Sequence, residues 1–246
     1  MHTIKLSKEH LTLPLAELKA VIETAYPDES ITIKIQDEEI QLSGINSTNL
    51  LEQRLAYAME INDNGLEQGF DSRYPRNRPF SYPTTLDPKL ARCMVNLARP
   101  KQDDIIFDPF CGTGGILIEA GLMSFKTIGI DIDEKMIEGC KQNLEHYNVQ
   151  NFDISPGDFF KTKKKGIIVT DPPYGKSTSL SNKSIEEFYN LILERLQKIA
   201  TEIICIGSPS TINLAEMASN QGFKIREEHI VYVNKDLSKR ILVLEK

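Results

Sequence analysis

The stretch DIIFDPFCGTGGILIEAGLM, residues 104–123, decides the fold. Its first part, DIIFDPF, reads as a buried strand whose last core position is followed by Asp108. Its second part, GGILIEAGLM, reads as an apolar helix. Glycines in the turn between them let the backbone approach a ligand closely, and the start of the helix attracts negative charge. The turn lacks the G-x-G-x-x-G spacing of a dinucleotide site and the Lys-Ser/Thr of a phosphate loop. That disfavours a nicotinamide oxidoreductase. On this stretch alone, a turn that merely needs positive φ remains an open reading.

The pattern repeats on the C-terminal side. TIGIDI (127–132) is a strand and EKMIEGCKQNLEHYN (134–148) a helix; FDISPGD (152–158) and GIIVTD (166–171) are strands; IEEFYNLILERLQKIA (185–200) is a helix, EIICIG (202–207) a strand and TINLAEMASNQG (211–222) a helix. Such alternation predicts a doubly wound, mostly parallel α/β sheet covered on both faces. KIREEHIVYV (224–233) and RILVLEK (240–246) follow with no helix between them, which predicts an antiparallel pair at one end. On the N-terminal side, LDPKLARCMVNLAR (86–99) is a helix opened by Asp87 and Pro88.

Residues 1–61 read differently: a strand at 3–6, a helix at 13–26, strands at 31–35 and 39–45, and a helix at 47–61 that could run into a short strand. This predicts a small α+β, ferredoxin-like module. A linker rich in Asn, Gly, Pro and charge spans 62–79, and the larger domain runs over 80–246. The net charge of −6 is unevenly spread. Residues 1–70 carry 5 Lys and Arg against 12 Asp and Glu, while the remainder carries 24 against 23. The acidity is that of the first module, and the rest is neutral with basic clusters: RYPRNR (73–78), KKK (163–165), and Lys176, Lys183, Lys235, Lys239 and Arg240. These fit a path for RNA, although each lysine taken singly reads as solvated.

No apolar run reaches the roughly 18 residues of a membrane span, and the N-terminus has no secretory pattern. The cysteines Cys93, Cys111, Cys140 and Cys205 are scattered, as are the histidines, so neither a disulfide framework nor a zinc site is expected. The expected location is cytoplasmic, with no membrane partner.

Ligands in open α/β sheets bind beyond the carboxyl ends of the strands. Four such ends carry chemistry. Asp108 precedes the Gly-rich turn. Asp131 ends the next strand, where a carboxylate can accept both hydroxyls of a ribose; Asp133 is the better helix cap, which leaves Asp131 freer to be a ligand. Asp158 could accept from an adenine amine or equally be a turn residue. DPPYG (171–175) sets a carboxylate, prolines that fix φ and hold the Asp171 and Pro172 carbonyls as acceptors, and the flat face of Tyr174. That slot suits an exocyclic amine on a planar base.

In this order and spacing, the four stretches resemble class I S-adenosylmethionine-dependent methyltransferases, and DPPY resembles the motif of those that act on amino groups. The segment RPFSYPTTLDPKLARCMVNLARP (78–100), leading into DPFCGTGG, resembles the archaeal and eukaryotic tRNA guanine-10 N2-methyltransferases. The resemblance implies a seven-stranded Rossmann-like sheet and S-adenosyl-L-methionine as cofactor. It implies that Asp108 and the turn from Gly112 to Gly114 hold the methionine part, Asp131 the ribose and Asp158 the adenine. Pro83, Thr84 and Thr85 would line the cofactor pocket, with Phe110, Ile132 and Phe159 beside it. Asp171, Pro172, Pro173 and Tyr174 would bind the target base. The expected substrate is tRNA. Relatives of this kind carry an RNA-binding THUMP domain, and 1–61 is expected to hold only the small domain before it, so an activator or RNA-docking subunit is an expected partner. Methylation of adenine N6 or cytosine N4 in DNA or RNA, and a catalytically silent cofactor-binding scaffold, are the alternatives.

Overall fold

The computed structural model describes residues 1–36, 39–82, 85–174, 184–235 and 237–246. The first sheet is built from β1 (His2–Leu6), β2 (Thr32–Gln36), β3 (Glu39–Ser43), β4 (Ala58–Ile61) and the short β5 (Asn64–Gly65), in the order β2-β3-β1-β4-β5 with antiparallel pairing. Helices α1 (Leu13–Ala25) and α2 (Asn49–Arg54) complete a βαββαβ, ferredoxin-like arrangement with one strand added. Ile4 pairs with Ile40 on one side and Ile61 on the other, and all three are buried with Leu18, Leu42 and Leu51.

The second helix of this unit stops well short of the span predicted from its apolar spacing. The carboxylate of Glu17, on α1, accepts from the backbone N–H groups of Ala56 (2.9 Å) and Tyr57 (3.1 Å). Those donors are thereby drawn away from a helical ladder, and the chain turns into β4. Residues 62–79 also carry structure: β5, α3 (Phe70–Arg73) and a 3-10 turn over Pro75–Asn77.

The second sheet has seven strands: β6 (Ile105–Asp108), β7 (Lys126–Asp131), β8 (Phe152–Pro156), β9 (Ile167–Thr170), β10 (Ile203–Pro209), β11 (Lys224–Asn234) and β12 (Leu237–Glu245), in the order β11-β12-β10-β9-β6-β7-β8. All neighbours are parallel except those involving β12, as the helix-less ending predicts. Helices α4 (Pro88–Leu97), α5 (Gly115–Leu122), α6 (Glu134–His146), α7 (Ile185–Ile199) and α8 (Leu214–Asn220) cover the sheet. Asp87 caps α4 by accepting from Lys89 N (2.9 Å) and Leu90 N (3.2 Å), with Pro88 at the first position.

β6 lies between β9 and β7, so the chain reverses its winding direction at β6 and opens a crevice at the carboxyl ends of β6 and β9. The two units share a core: Leu13, Ala56 and Tyr57 are buried in one cluster with Leu90, Met94, Leu97 and Ile116. Among the described residues, no helix is long and apolar enough to cross a membrane.

Candidate active site

Asp108 ends β6 almost fully buried. Its Oδ1 accepts from Thr170 Oγ1 (2.7 Å) and from Phe110 N (3.1 Å). Burial pushes this carboxyl up to about 7, and the nearby charges of Asp131 and Asp171 push the same way. Two glycines of the turn that follows adopt positive φ, +50° at Gly112 and +86° at Gly114. A Cβ on Gly114 would meet Cys140 Sγ at 2.7 Å, whereas one on Gly112 would meet nothing within 4 Å. Gly114 is thus required by packing, and Gly112 keeps a space open beside the turn.

Asp131 is more committed than expected. Its Oδ2 accepts from Gly112 N (3.0 Å) and its Oδ1 from Asp133 N (3.0 Å), so the carboxylate pins the Gly-rich turn and retains one lone pair on each oxygen. Asp133 caps α6 through Lys135 N (2.8 Å), as its position predicts. Asp158 accepts from Phe160 N (2.9 Å) and lies 3.4 Å from the Lys161 ammonium. Phe159 is in the core, its ring 5.0 Å from that of Phe110, while Phe160 and Ile132 present apolar surface outside the strand ends. Pro83 and Thr84 lie outside the described residues. Thr85 donates to Tyr82 O (2.7 Å) and touches Thr113 Oγ1 (3.1 Å), which seats its segment against the turn.

Arg78, which in the sequence reads as part of a basic cluster and opens the segment 78–100, has a further place in the structure. It is 95% buried, its Nε donates to Arg73 O (2.8 Å), and its Nη1 and Nη2 have no partner among the described residues. Nη1 is 3.4 Å from where a Gly115 Cβ would stand, at the start of α5. Two buried donors beside a helix N-terminus fit an anionic group.

Asp171 follows β9 across the crevice. Its Oδ1 accepts from the Tyr174 hydroxyl (2.5 Å), and its Oδ2 is paired with the Lys239 ammonium. Burial and the Asp171 charge hold the Tyr174 hydroxyl far above its ordinary range, so it is a donor at any working pH. The Lys239 ammonium lies 4.9 Å from the Tyr174 ring centroid, so one face of the expected stacking platform carries a cation. The Pro172 carbonyl accepts from Tyr189 (3.3 Å), an interaction shared with Gly207 O (3.4 Å). Pro173 is half-buried. Gly207 has to be glycine, because a Cβ there would collide with the Asp171 carboxylate. Gly175 and the polar loop through Lys183 lie outside the described residues.

The basic clusters divide. Arg73 and Arg78 are buried, and Arg73 joins Arg92 on the carboxylate of Glu119 (2.6 and 2.9 Å). Arg73 holds the core together rather than lining a rim, while the Nη donors of Arg78, unpaired among the described residues, lie beside the start of α5. Lys239 is buried with Asp171, Lys164 is paired with Asp153 (2.7 Å) and Arg240 with Glu228. Lys176 and Lys183 lie outside the described residues. Arg76, Lys163, Lys165 and Lys235 remain as exposed or nearly exposed cations.

A seven-stranded sheet of this order, with three carboxylates converging on its crevice, is that of the Rossmann-like methyltransferases. Residues 75–240 match the model of the UPF0020 family, described as an RMKL-like methyltransferase domain, and the chain belongs to that family. It is 40% identical over 207 residues to the tRNA (guanine(10)-N2)-dimethyltransferase of Methanothermobacter thermautotrophicus, covering 82% of this chain and 59% of that protein. It is 41% identical over 169 residues to a probable tRNA (guanine(10)-N2)-dimethyltransferase of Methanothermococcus thermolithotrophicus, covering 64% of this chain and 98% of that one. The crystal structure of TrmN from Thermus thermophilus superposes with a TM-score of 0.58 at 19% identity, over 89% of this chain and 60% of that chain. The chain spans between half and three fifths of several longer curated relatives, 59% of one and 51% of another.

Proposed function

We propose that this chain transfers a methyl group from S-adenosyl-L-methionine to the exocyclic N2 amine of a guanine in tRNA. The observation that carries the reading is the Asp171 carboxylate, fixed at the switch-point crevice by Tyr174 and Lys239, with the Pro172 carbonyl in the same loop and Asp108 across the gap. The names of the relatives, tRNA guanine-N2 enzymes at about 40% identity, support the same chemistry.

The residues present fit the cofactor. A buried carboxyl raised to about 7 at Asp108 is ionised most readily by a cationic ligand. Arg78 and the start of α5 complement a carboxylate. Asp131 retains lone pairs for two hydroxyls. Asp158 offers an acceptor to an amine, with Phe160 and Ile132 as apolar surface for a planar ring. When bound, the cofactor supplies a sulfonium that makes its methyl group electrophilic. The protein's part is to prepare the amine. A guanine N2 lone pair is delocalised into the ring, and hydrogen bonds from its N–H groups to Asp171 and the Pro172 carbonyl favour a pyramidal nitrogen. Holding that nitrogen in line supplies roughly 7–11 kcal/mol of barrier reduction. Asp171 then stabilises the charge that develops on nitrogen and accepts its proton.

Gly112 offers a local test. Gly112→Ala adds a Cβ that meets nothing in the protein, so stability should fall by only about 1 kcal/mol of left-handed backbone strain. Cofactor affinity, read by calorimetry, should fall at least tenfold. Unchanged affinity would place the cofactor elsewhere.

In the wider reading, residues 1–61 and the exposed cations orient RNA in a cytoplasmic enzyme, and a further domain or partner subunit completes tRNA docking. The deciding experiment is transfer from labelled S-adenosylmethionine to unmodified tRNA transcripts, with DNA alongside, followed by nucleoside analysis. N2-methylguanosine is the expected product. Label on adenine N6 or cytosine N4 would reassign the substrate.

A further inference from the structure

Lys239 is a buried cation to which the mechanism above gives no role beyond holding Asp171. It stands on β12 opposite Pro209 of β10 and Val231 of β11, and its side chain is 8% exposed. Among the described residues, its one hydrogen-bond acceptor is Asp171, whose side chain is 14% exposed. The ammonium therefore sits between the acid and the Tyr174 ring, in nearly dry surroundings.

The three groups leave a definite pattern for a ligand. Each carboxylate oxygen has two lone pairs. Tyr174 and Lys239 occupy one on each, so one acceptor position remains on Oδ1 and one on Oδ2. An ammonium has three protons, and one is given to Asp171. The pair thus presents acceptor, acceptor, donor in a row. The Watson–Crick edge of guanine presents the complement: the N2 amine, N1–H, then the O6 acceptor. Adenine and cytosine each set a ring-nitrogen acceptor beside their single amine, which would face the carboxylate lone pairs and be repelled.

We propose that Lys239 is a specificity-determining residue: with Asp171 it reads the guanine edge by donating to O6 while the acid accepts from N1–H and N2–H. This rests on the guanine N2 reading above. A site whose buried donors and acceptors are matched to one base rejects an analogue that leaves them unpaired, by factors far larger than apolar fit allows. It also gives a reason for a cation beside an acid that must bind an amine.

The test pairs two substrates with three proteins. tRNA carrying guanosine at the modified position is compared with tRNA carrying 2-aminopurine there, which keeps the 2-amine but lacks O6 and N1–H. Wild type, Lys239→Met and Lys239→Arg are each measured for kcat/KM and for cofactor affinity. Wild type should favour guanosine by at least about 100-fold. Lys239→Met should lower the guanosine rate by about 10- to 100-fold more than the 2-aminopurine rate, which falls only by what loosening Asp171 costs both substrates, so the preference narrows. Lys239→Arg should keep the preference. Equal losses on both substrates would make Lys239 a support for Asp171 and overturn the inference. So would a wild type that uses both substrates alike, or a Lys239→Arg protein that binds cofactor yet loses the preference; neither result needs Lys239→Met to fold. No label on guanine N2 with any tRNA would instead remove the reading on which the inference rests.

Discussion

Asp171→Asn should lower the methyl-transfer rate by at least 1000-fold and change the cofactor dissociation constant by less than about threefold. The asymmetry follows from where the carboxylate stands. It lies beyond β9, engaged with Tyr174 and Lys239, whereas the groups fitted to the cofactor lie beyond β6, β7 and β8. Asparagine keeps the size and one acceptor. It replaces one of the two oxygens engaged by Tyr174 and Lys239 with a donor, and it cannot take a proton from the reacting amine. A positioned acid–base group typically contributes 100- to 10,000-fold, and the displaced carboxylate adds the loss of orientation. Alanine is the poorer probe, because it leaves the Lys239 charge buried and unpaired at about 3–5 kcal/mol. A double variant, Asp171→Asn with Lys239→Met, should recover stability without recovering transfer. Single-turnover rates with labelled cofactor, set beside calorimetric affinities, decide the matter. A rate within tenfold of wild type would take Asp171 out of the chemistry.

The sheet and its strand ends were legible because the signals are local. Runs such as IIFD and IIVT are short, apolar and bounded by turn residues, and each is followed or preceded by helical spacing. The closing antiparallel pair was readable from the missing helix alone. What the sequence did not show is what depends on distant side chains. The span 47–61 reads as a helix that could run into a short strand, and the helix stops at Arg54 because the Glu17 carboxylate, about 40 positions away, takes the N–H groups of Ala56 and Tyr57. The RYPRNR cluster reads as a basic surface, yet two of its three arginines are buried, one of them against Glu119. Lys239 looked like one of several rim lysines, and nothing near it in sequence announces Asp171, 68 positions earlier. Asp131 was expected to be free because Asp133 caps the helix, and it is instead tied by Gly112, a contact only a folded turn creates.

Glu17→Ala should destabilise the fold by about 2–4 kcal/mol at pH 6. Glu17 is wholly buried where α1 meets α4. Besides Ala56 and Tyr57 it accepts from Asn96 Nδ2 (2.8 Å), so it joins the N-terminal unit to a helix that covers the seven-stranded sheet. Removing it leaves buried N–H groups without an acceptor, at about 1–3 kcal/mol each, and part of this is returned because a costly buried carboxyl disappears. The same carboxyl predicts a pH dependence. Burial pushes it up to about 7 against the pull of its three donors, and Asp108 is pushed to about 7 in the same way. A carboxyl whose folded value lies above its unfolded value binds more protons in the native state through that interval. The stability it contributes is therefore complete below about pH 4 and is lost as the pH rises through about 7, after which the curve is flat. The apo protein should accordingly melt at a higher temperature at pH 5.5 than at pH 8. Glu17→Gln keeps an acceptor for the two backbone donors, so it should lose less than the alanine variant and show a shallower slope between pH 5 and pH 7.5. A glutamine variant with the wild-type slope would assign the dependence to Asp108 alone. An alanine variant as stable as wild type would mean that the apolar contacts of Leu13, Ala56 and Tyr57 with α4 hold the two units together without the buried acid.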